Sequence, residues 1–113
     1  MQLAKGAVGA GAALLAQYLG IELSDIEEVI LAGAFGSFLR PDSACDIGLL
    51  PPVLWSKIRV AGNAAGAGAR RLVCSDRERR RVDEILCRIE FLELASLPEF
   101  QSRFAREINF ARI

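Results

Sequence analysis

The chain has 113 residues, with 14 Lys or Arg and 14 Asp or Glu, so its formal net charge is zero. That length bounds it at one domain, residues 1–113, and the neutral balance excludes an electrostatic drive toward nucleic acid or an anionic membrane. At 52% hydrophobic residues it carries more apolar surface than so small a domain buries well, which predicts a partner chain or neighbouring segment over part of it.

Residues 1–19 read as a helix. Gly6, Gly9, Ala10, Ala13 and Gln17 recur at helical spacing and form a stripe of small residues, while Leu3, Leu14, Leu15 and Tyr18 supply bulk. A glycine inside a helix costs about 1 kcal/mol relative to alanine, so the stripe is expected to pack closely on another element. The mild stretch at 6–15 is too short to span a membrane, and 1–20 makes a poor signal peptide. Gly20 fits the position just past the helix end. No capping residue precedes the helix, which reads as one cut in its middle and the chain as a fragment of something longer.

Ser24 to Glu27 has the spacing of a capping box, opening a short turn of helix. Residues 29–32 are a continuous apolar run, the pattern of a parallel strand buried on both faces, and 33–36 form the turn after it. A short helical stretch follows at 41–48, with Asp42 or Ser43 near its start and Asp42 more simply read as a capping residue. Residues 57–61, "KIRVA", make a second strand that ends in Gly62-Asn63, and Asn63 is the natural N-cap of the helix "AAGAGARRLVC". Ser75 to Glu78 is a second capping box, opening a helix with Val82, Ile85, Leu86 and Ile89 as its apolar stripe. Residues 91–95 read as a third strand. Ser96 to Glu99 is a third capping box with an early proline, before a helix lined by Phe100, Phe104 and Ile108. The fold class is therefore α/β, a small, mainly parallel sheet of about three strands with helices packed on it.

Two strands thus end alike, each feeding a Gly/Ala segment. In an open parallel sheet, ligands bind beyond the carboxyl ends of the strands. Small residues there let a base or phosphate approach the backbone, Phe35 offers an aromatic face, and the helix start at Asn63 favours an anion. The same glycines also serve a sharp reversal or tight helix–sheet packing, Phe35 a core position and Asn63 a plain cap. The run Gly62 to Gly68 is neither a G-x-G-x-x-G fingerprint nor a Walker A loop. Cys45, Cys74 and Cys87 form no C-x-x-C pair and there is no histidine, which argues against a zinc or iron–sulfur site within the chain. It also rules out a Ser-His-Asp or Cys-His constellation. The thiols read as free and cytoplasmic. The arginines at 70–71 and 77–81 are interleaved with Glu78, Asp83 and Glu84 and read as a solvated helix face.

Particular motifs go further. "QLAKGAV", "SDIEEVILAGAFGSFLRPDSACDIGLLP", "VAGNAAGAGAR" and the closing "FLELASLPEFQSRFAREINF", in that order, resemble the carboxyl-terminal part of the ferredoxin-like reductive activators of corrinoid proteins. The resemblance implies a portion of an actin-like ATPase domain with ribonuclease-H-like topology. It implies ATP and magnesium as cofactors, a 2Fe–2S cluster in an amino-terminal domain not in this chain, and a corrinoid protein of a methyltransferase system as partner. "VILAGAFG" is similar to the adenosine motif of that superfamily, which makes Gly33, Ala34, Phe35 and Gly36 nucleotide-proximal, with Gly62 and Asn63 at the next strand end. The usual double glycine reads Gly33-Ala34 here, and the first phosphate loop with its metal-linked carboxylate is expected upstream of residue 1. A different class of function is an interaction or oligomerisation module that docks a partner, or a second copy, through the small-residue helix. Lacking the groups that position magnesium and the γ-phosphate, the 113-residue chain is predicted not to hydrolyse ATP by itself. Steady-state phosphate release above the blank from the purified chain would refute this.

Overall fold

The computed structural model describes residues 2–109, with every side chain among them but that of Phe35. Met1 and Phe110, the last residue of the closing motif, lie outside it. Helix α1 (Gln2–Leu19) comes first, then a 3-10 turn at Leu23–Asp25, strand β1 (Val29–Ala32), and helices α2 (Gly33–Phe38) and α3 (Pro41–Asp46). A second 3-10 turn, Pro52–Lys57, leads to strand β2 (Ile58–Gly62). Helices α4 (Ala64–Cys74) and α5 (Asp76–Leu86), a 3-10 turn at Leu94–Ser96 and helix α6 (Pro98–Glu107) complete the order.

Strands β1 and β2 pair in parallel, Val29 opposite Ile58 and Leu31 opposite Val60. A parallel pair needs a long crossover, which α2, α3 and the second 3-10 turn supply. The crossover packs Ala44, Leu49 and Leu50 into a small core against Val29, Leu31, Leu39, Ile47 and Ile58. Only one face of the pair is covered: Ile30 is 50% and Val60 45% exposed. The apolar run at 29–32 therefore alternates in burial, contrary to a strand buried on both sides.

The expected third strand at 91–95 is absent. Its alternation is real, with Leu92 and Leu94 half-buried and Phe91, Glu93 and Ala95 exposed. Leu94, however, reaches α1, where its Cδ1 would lie 3.2 Å from a Cβ on Gly11. The segment thus packs on a helix and finds no strand partner, so the sheet among the described residues has two strands. Two capping boxes also move. The first 3-10 turn is capped reciprocally by Glu22 and Asp25, not from Ser24. Ser96 donates to the Glu93 carbonyl, leaving Leu97 at the start of α6 with no side-chain cap.

The small-residue stripe of α1 is spent on α6. A Cβ on Gly6 would stand 2.9 Å from Ile108 Cγ1 and 3.2 Å from Phe104 Cε2, and one on Gly9 3.1 Å from Glu107 Oε2. Phe100 and Phe104 stack with centroids 5.6 Å apart, a stable aromatic arrangement. Lys5, only 2% exposed, donates from Nζ to the carbonyls of Glu107 at 2.6 Å and Asn109 at 2.5 Å. A cation at the carbonyl end of a helix both satisfies orphan acceptors and opposes the helix dipole.

The molecule is long for its size. Its radius of gyration is 16.0 Å, against about 13 Å for a compact chain of this length. It exposes 8494 Å², where a compact monomer of its mass exposes about 6,100 Å². Exposed large apolar side chains are part of that surface, among them Leu3, Phe38, Val73 and Phe91.

Two glycine substitutions should differ in sign. Gly6→Ala gains helix propensity but drives a methyl into Ile108 and Phe104, so it should lower stability by about 1 kcal/mol or more. Gly68→Ala, with nothing within 4 Å of its Cβ position, should raise it by about 0.5–1 kcal/mol. Urea unfolding followed by circular dichroism measures both.

Candidate functional site: two glycine-ended strand tips

The carboxyl ends of β1 and β2 lie side by side. Register passes from Leu31 opposite Val60 to Ala32 opposite Gly62, with an irregularity between them. Ala61 is therefore the extra residue of a bulge in β2, and it brings the two strand ends level. Beyond Ala32 the expected turn is missing: helix α2 begins at Gly33 itself. Gly33 makes the reversal alone with φ +80°, and Gly62 does the same at φ +61°. Side chains other than glycine rarely adopt that conformation.

Both positions are also bare. Among the described residues, a Cβ on Gly33 or on Gly62 would meet nothing within 4 Å. Neither glycine is explained by close packing, so the two tips make an open shelf of main-chain atoms. Gly36 differs: its Cβ would lie 2.7 Å from the Leu31 carbonyl oxygen, so its absence lets α2 sit on the end of β1. The Ser37 hydroxyl donates to the Gly33 carbonyl at 3.2 Å, fixing the first turn of α2. Ala34 is exposed on the same turn, and the side chain of Phe35 lies outside the described residues.

Asn63 follows Gly62 and caps α4, its Oδ1 accepting from the Gly66 N–H at 3.0 Å. A Cβ on Gly66 would stand 2.5 Å from Asn63 Nδ2, so Gly66 exists to let that cap fold over. The positive end of α4 thus faces the shelf. The structure brings together Gly33, Ala34, Gly62 and Asn63, and places Gly36 beneath them as a packing residue.

Two of the carboxylates near the tips in sequence are otherwise engaged. Glu28 pairs with Arg59 across the strands. Asp42 is no capping residue: α3 starts with Arg40 at the N-cap and Pro41 next. Asp42 accepts instead from the Trp55 indole N–H at 2.7 Å and pairs with Arg40 at 3.4 Å. Among the described residues no group of three or more Cys, Asp or Glu gathers to hold a metal ion. Magnesium therefore has no assigned ligand among the described residues. Burial first, then the charges of Asp46 and Asp42, pushes the Cys45 thiol up, opposite to what an activated nucleophile needs. No helix among the described residues is long and apolar enough to cross a membrane.

Residues 1–112 match the family described as the C-terminal domain of RACo, the ASKHA domain. The chain belongs to that family. It is 37% identical over 110 residues to the corrinoid activation enzyme RamQ of Eubacterium limosum, covering 97% of this chain and 18% of that protein. A solved structure of a reductive activator for corrinoid, iron–sulfur protein superposes with a TM-score of 0.88 at 32% identity, over 96% of this chain and 17% of the other. The chain thus spans less than a fifth of the length of either relative. The RACo domain match gives the two-stranded unit its setting, an ASKHA or actin-like fold.

Sequence reasoning missed Lys5, whose lone positive charge in a small-residue helix was the available signal, and the Trp55–Asp42 link, which no spacing announces. Asn63→Ala should cost about 1 kcal/mol, whereas Asn63→Asp keeps the acceptor and should cost little. Thermal melts of the two variants check this, and equal losses in both would remove the cap from the account.

Proposed function

We propose that this chain is the C-terminal portion of an ATP-dependent reductive activator of a corrinoid protein, contributing the adenosine-binding side of its nucleotide cleft. The observation that carries the reading is the level pairing of Ala32 with Gly62, which sets two bare positive-φ glycines next to each other. Both named relatives are corrinoid activators by name, which supports the same role here; the cytoplasmic methyltransferase system is proposed from the motif resemblance.

In this reading Gly33 and Gly62 admit the nucleoside to the backbone because no side chain stands between. Ala34 bounds the shelf with a methyl, Gly36 seats α2 so that Gly33 stays at the strand tip, and Asn63 holds the start of α4 toward the ligand's negative end. ATP, when bound, would contribute free energy to the one-electron reduction of cob(II)alamin to Co(I), with the electron coming from the 2Fe–2S cluster of the amino-terminal domain. Magnesium, the γ-phosphate and any 2Fe–2S cluster fall to residues outside this chain. Phe35 remains the proposed aromatic neighbour of the base.

The docking module through the small-residue helix loses its surface, because α6 covers Gly6 and Gly9. A thermal shift with ATP and magnesium, set against size-exclusion mass, tests the proposal. Ligand at about 100 times its Kd stabilises by about 2.7 kcal/mol, a shift of several degrees. A melt indifferent to nucleotide, with a mass that climbs with concentration, would instead favour self-association and sink the reading.

A further inference from the structure

Helices α4 and α5 pack chiefly on each other and form an arm. The arm is built to be stiff. Arg79 donates from Nε to the Leu72 carbonyl at 2.6 Å and from Nη2 to the Val73 carbonyl at 3.2 Å, capping α4, and pairs with Asp76 at 3.1 Å. Ser75 caps α5 by accepting from the Glu78 N–H at 3.3 Å.

The remaining arginines have no such duty. Arg77, Arg80 and Arg81 share one face of α5 with Glu84 around an open hollow, and among the described residues they make no ion pair. Arg81 also borders a crevice of about 300 Å³ between the two helices. It is lined by Gly68, Leu72, Val82 and Ile85 together with Arg71, Arg81 and one carboxylate, Glu78. Residues 64–89 hold seven arginines and four carboxylates, while the rest of the chain holds seven cations and ten carboxylates. A chain with no net charge thus concentrates its positive charge on one projecting arm.

We infer that the α4–α5 arm docks a protein partner that presents an apolar side chain flanked by carboxylates. Leu72, Val82 and Ile85 receive the side chain, and Arg71, Arg77 and Arg81 receive the carboxylates, bidentately where geometry allows. A phosphate backbone or an anionic bilayer asks for charge alone and leaves those apolar residues without a use. The inference rests on the function proposed above in taking the corrinoid protein as that partner.

Isothermal titration of the 113-residue chain against the purified corrinoid protein of the same organism is the test. Affinity should fall tenfold or more between about 50 and about 500 mM salt. The exposed double variant R77A/R81A should bind at least tenfold more weakly, and R77K/R81K should recover much of the loss, with all three giving the same circular dichroism spectrum. Unchanged binding by R77A/R81A would overturn the inference and leave the corrinoid role standing. So would wild-type chain that ignores the corrinoid protein but binds duplex DNA, or vesicles of phosphatidylserine and phosphatidylcholine, through the same arginines. Absence of all binding in a chain that nucleotide still stabilises would overturn the docking surface without touching the nucleotide shelf.

Discussion

The constraint on which the rest depends is the register of a single parallel strand pair. With Leu31 opposite Val60 and one extra residue in β2, Ala32 falls opposite Gly62. Without the bulge Ala61 would fall opposite Ala32 and Gly62 opposite Gly33; with it, Gly62 pairs with the last residue of β1, next to Gly33. Level tips mean that two positive-φ glycines open onto the same space, and that α2 and α4 both leave the sheet from that end. The crossover that parallel pairing demands also supplies the core, because Ala44, Leu49 and Leu50 close the inner face over Val29, Leu31 and Ile58.

A second device holds the ends of the chain together. Helix α1 gives up large side chains along one stripe and so accepts about 1 kcal/mol per interior glycine. In return α6 approaches until Ile108 and Phe104 fill the places where Gly6 would carry a methyl. A buried lysine is costly unless its donors are used, and Lys5 uses them on the carbonyls of Glu107 and Asn109. One residue thus ends α6 and fixes it to α1. The arginine at the other end of the molecule, Arg79, does the same for α4 with an exposed side chain. Each is a cation at a helix carboxyl end, set by packing that no local pattern encodes.

Legibility followed locality. Asn63 as a cap, Gly20 as a helix end, the β1 and β2 segments and the facing stripes of α1 and α6 were readable, because each depends on spacing within a few residues. The third strand was misread because alternation at 91–95 reports only which side chains turn inward, not what the backbone bonds to. Leu94 found α1 instead. The turn expected at 33–36 was misread because one glycine at φ +80° reverses the chain and spares the other three for helix. Asp42 misled for a similar reason: a carboxylate two residues into a helix looks like a cap until Trp55 is brought to it from 13 residues away. Of the candidate site, the nearness of Gly33 and Gly62 is a product of pairing across the crossover, which no spacing within either segment fixes.

The outer face of the strand pair, with Ile30 and Val60 open, and the surplus of surface over a compact chain fit a unit that works against other protein, as expected of one that spans less than a fifth of its relatives. The central claim is that an adenine nucleotide lies on main-chain atoms at the two tips. Isotope-filtered nuclear Overhauser spectra of the labelled chain with unlabelled AMP test it most directly. The account predicts cross-peaks from adenine and ribose protons to the Ala32 and Ala34 methyls and to the α-protons of Gly33 and Gly62. Cross-peaks confined to Leu72, Val82 and Ile85 in the helical arm, or none at saturating nucleotide, would contradict it.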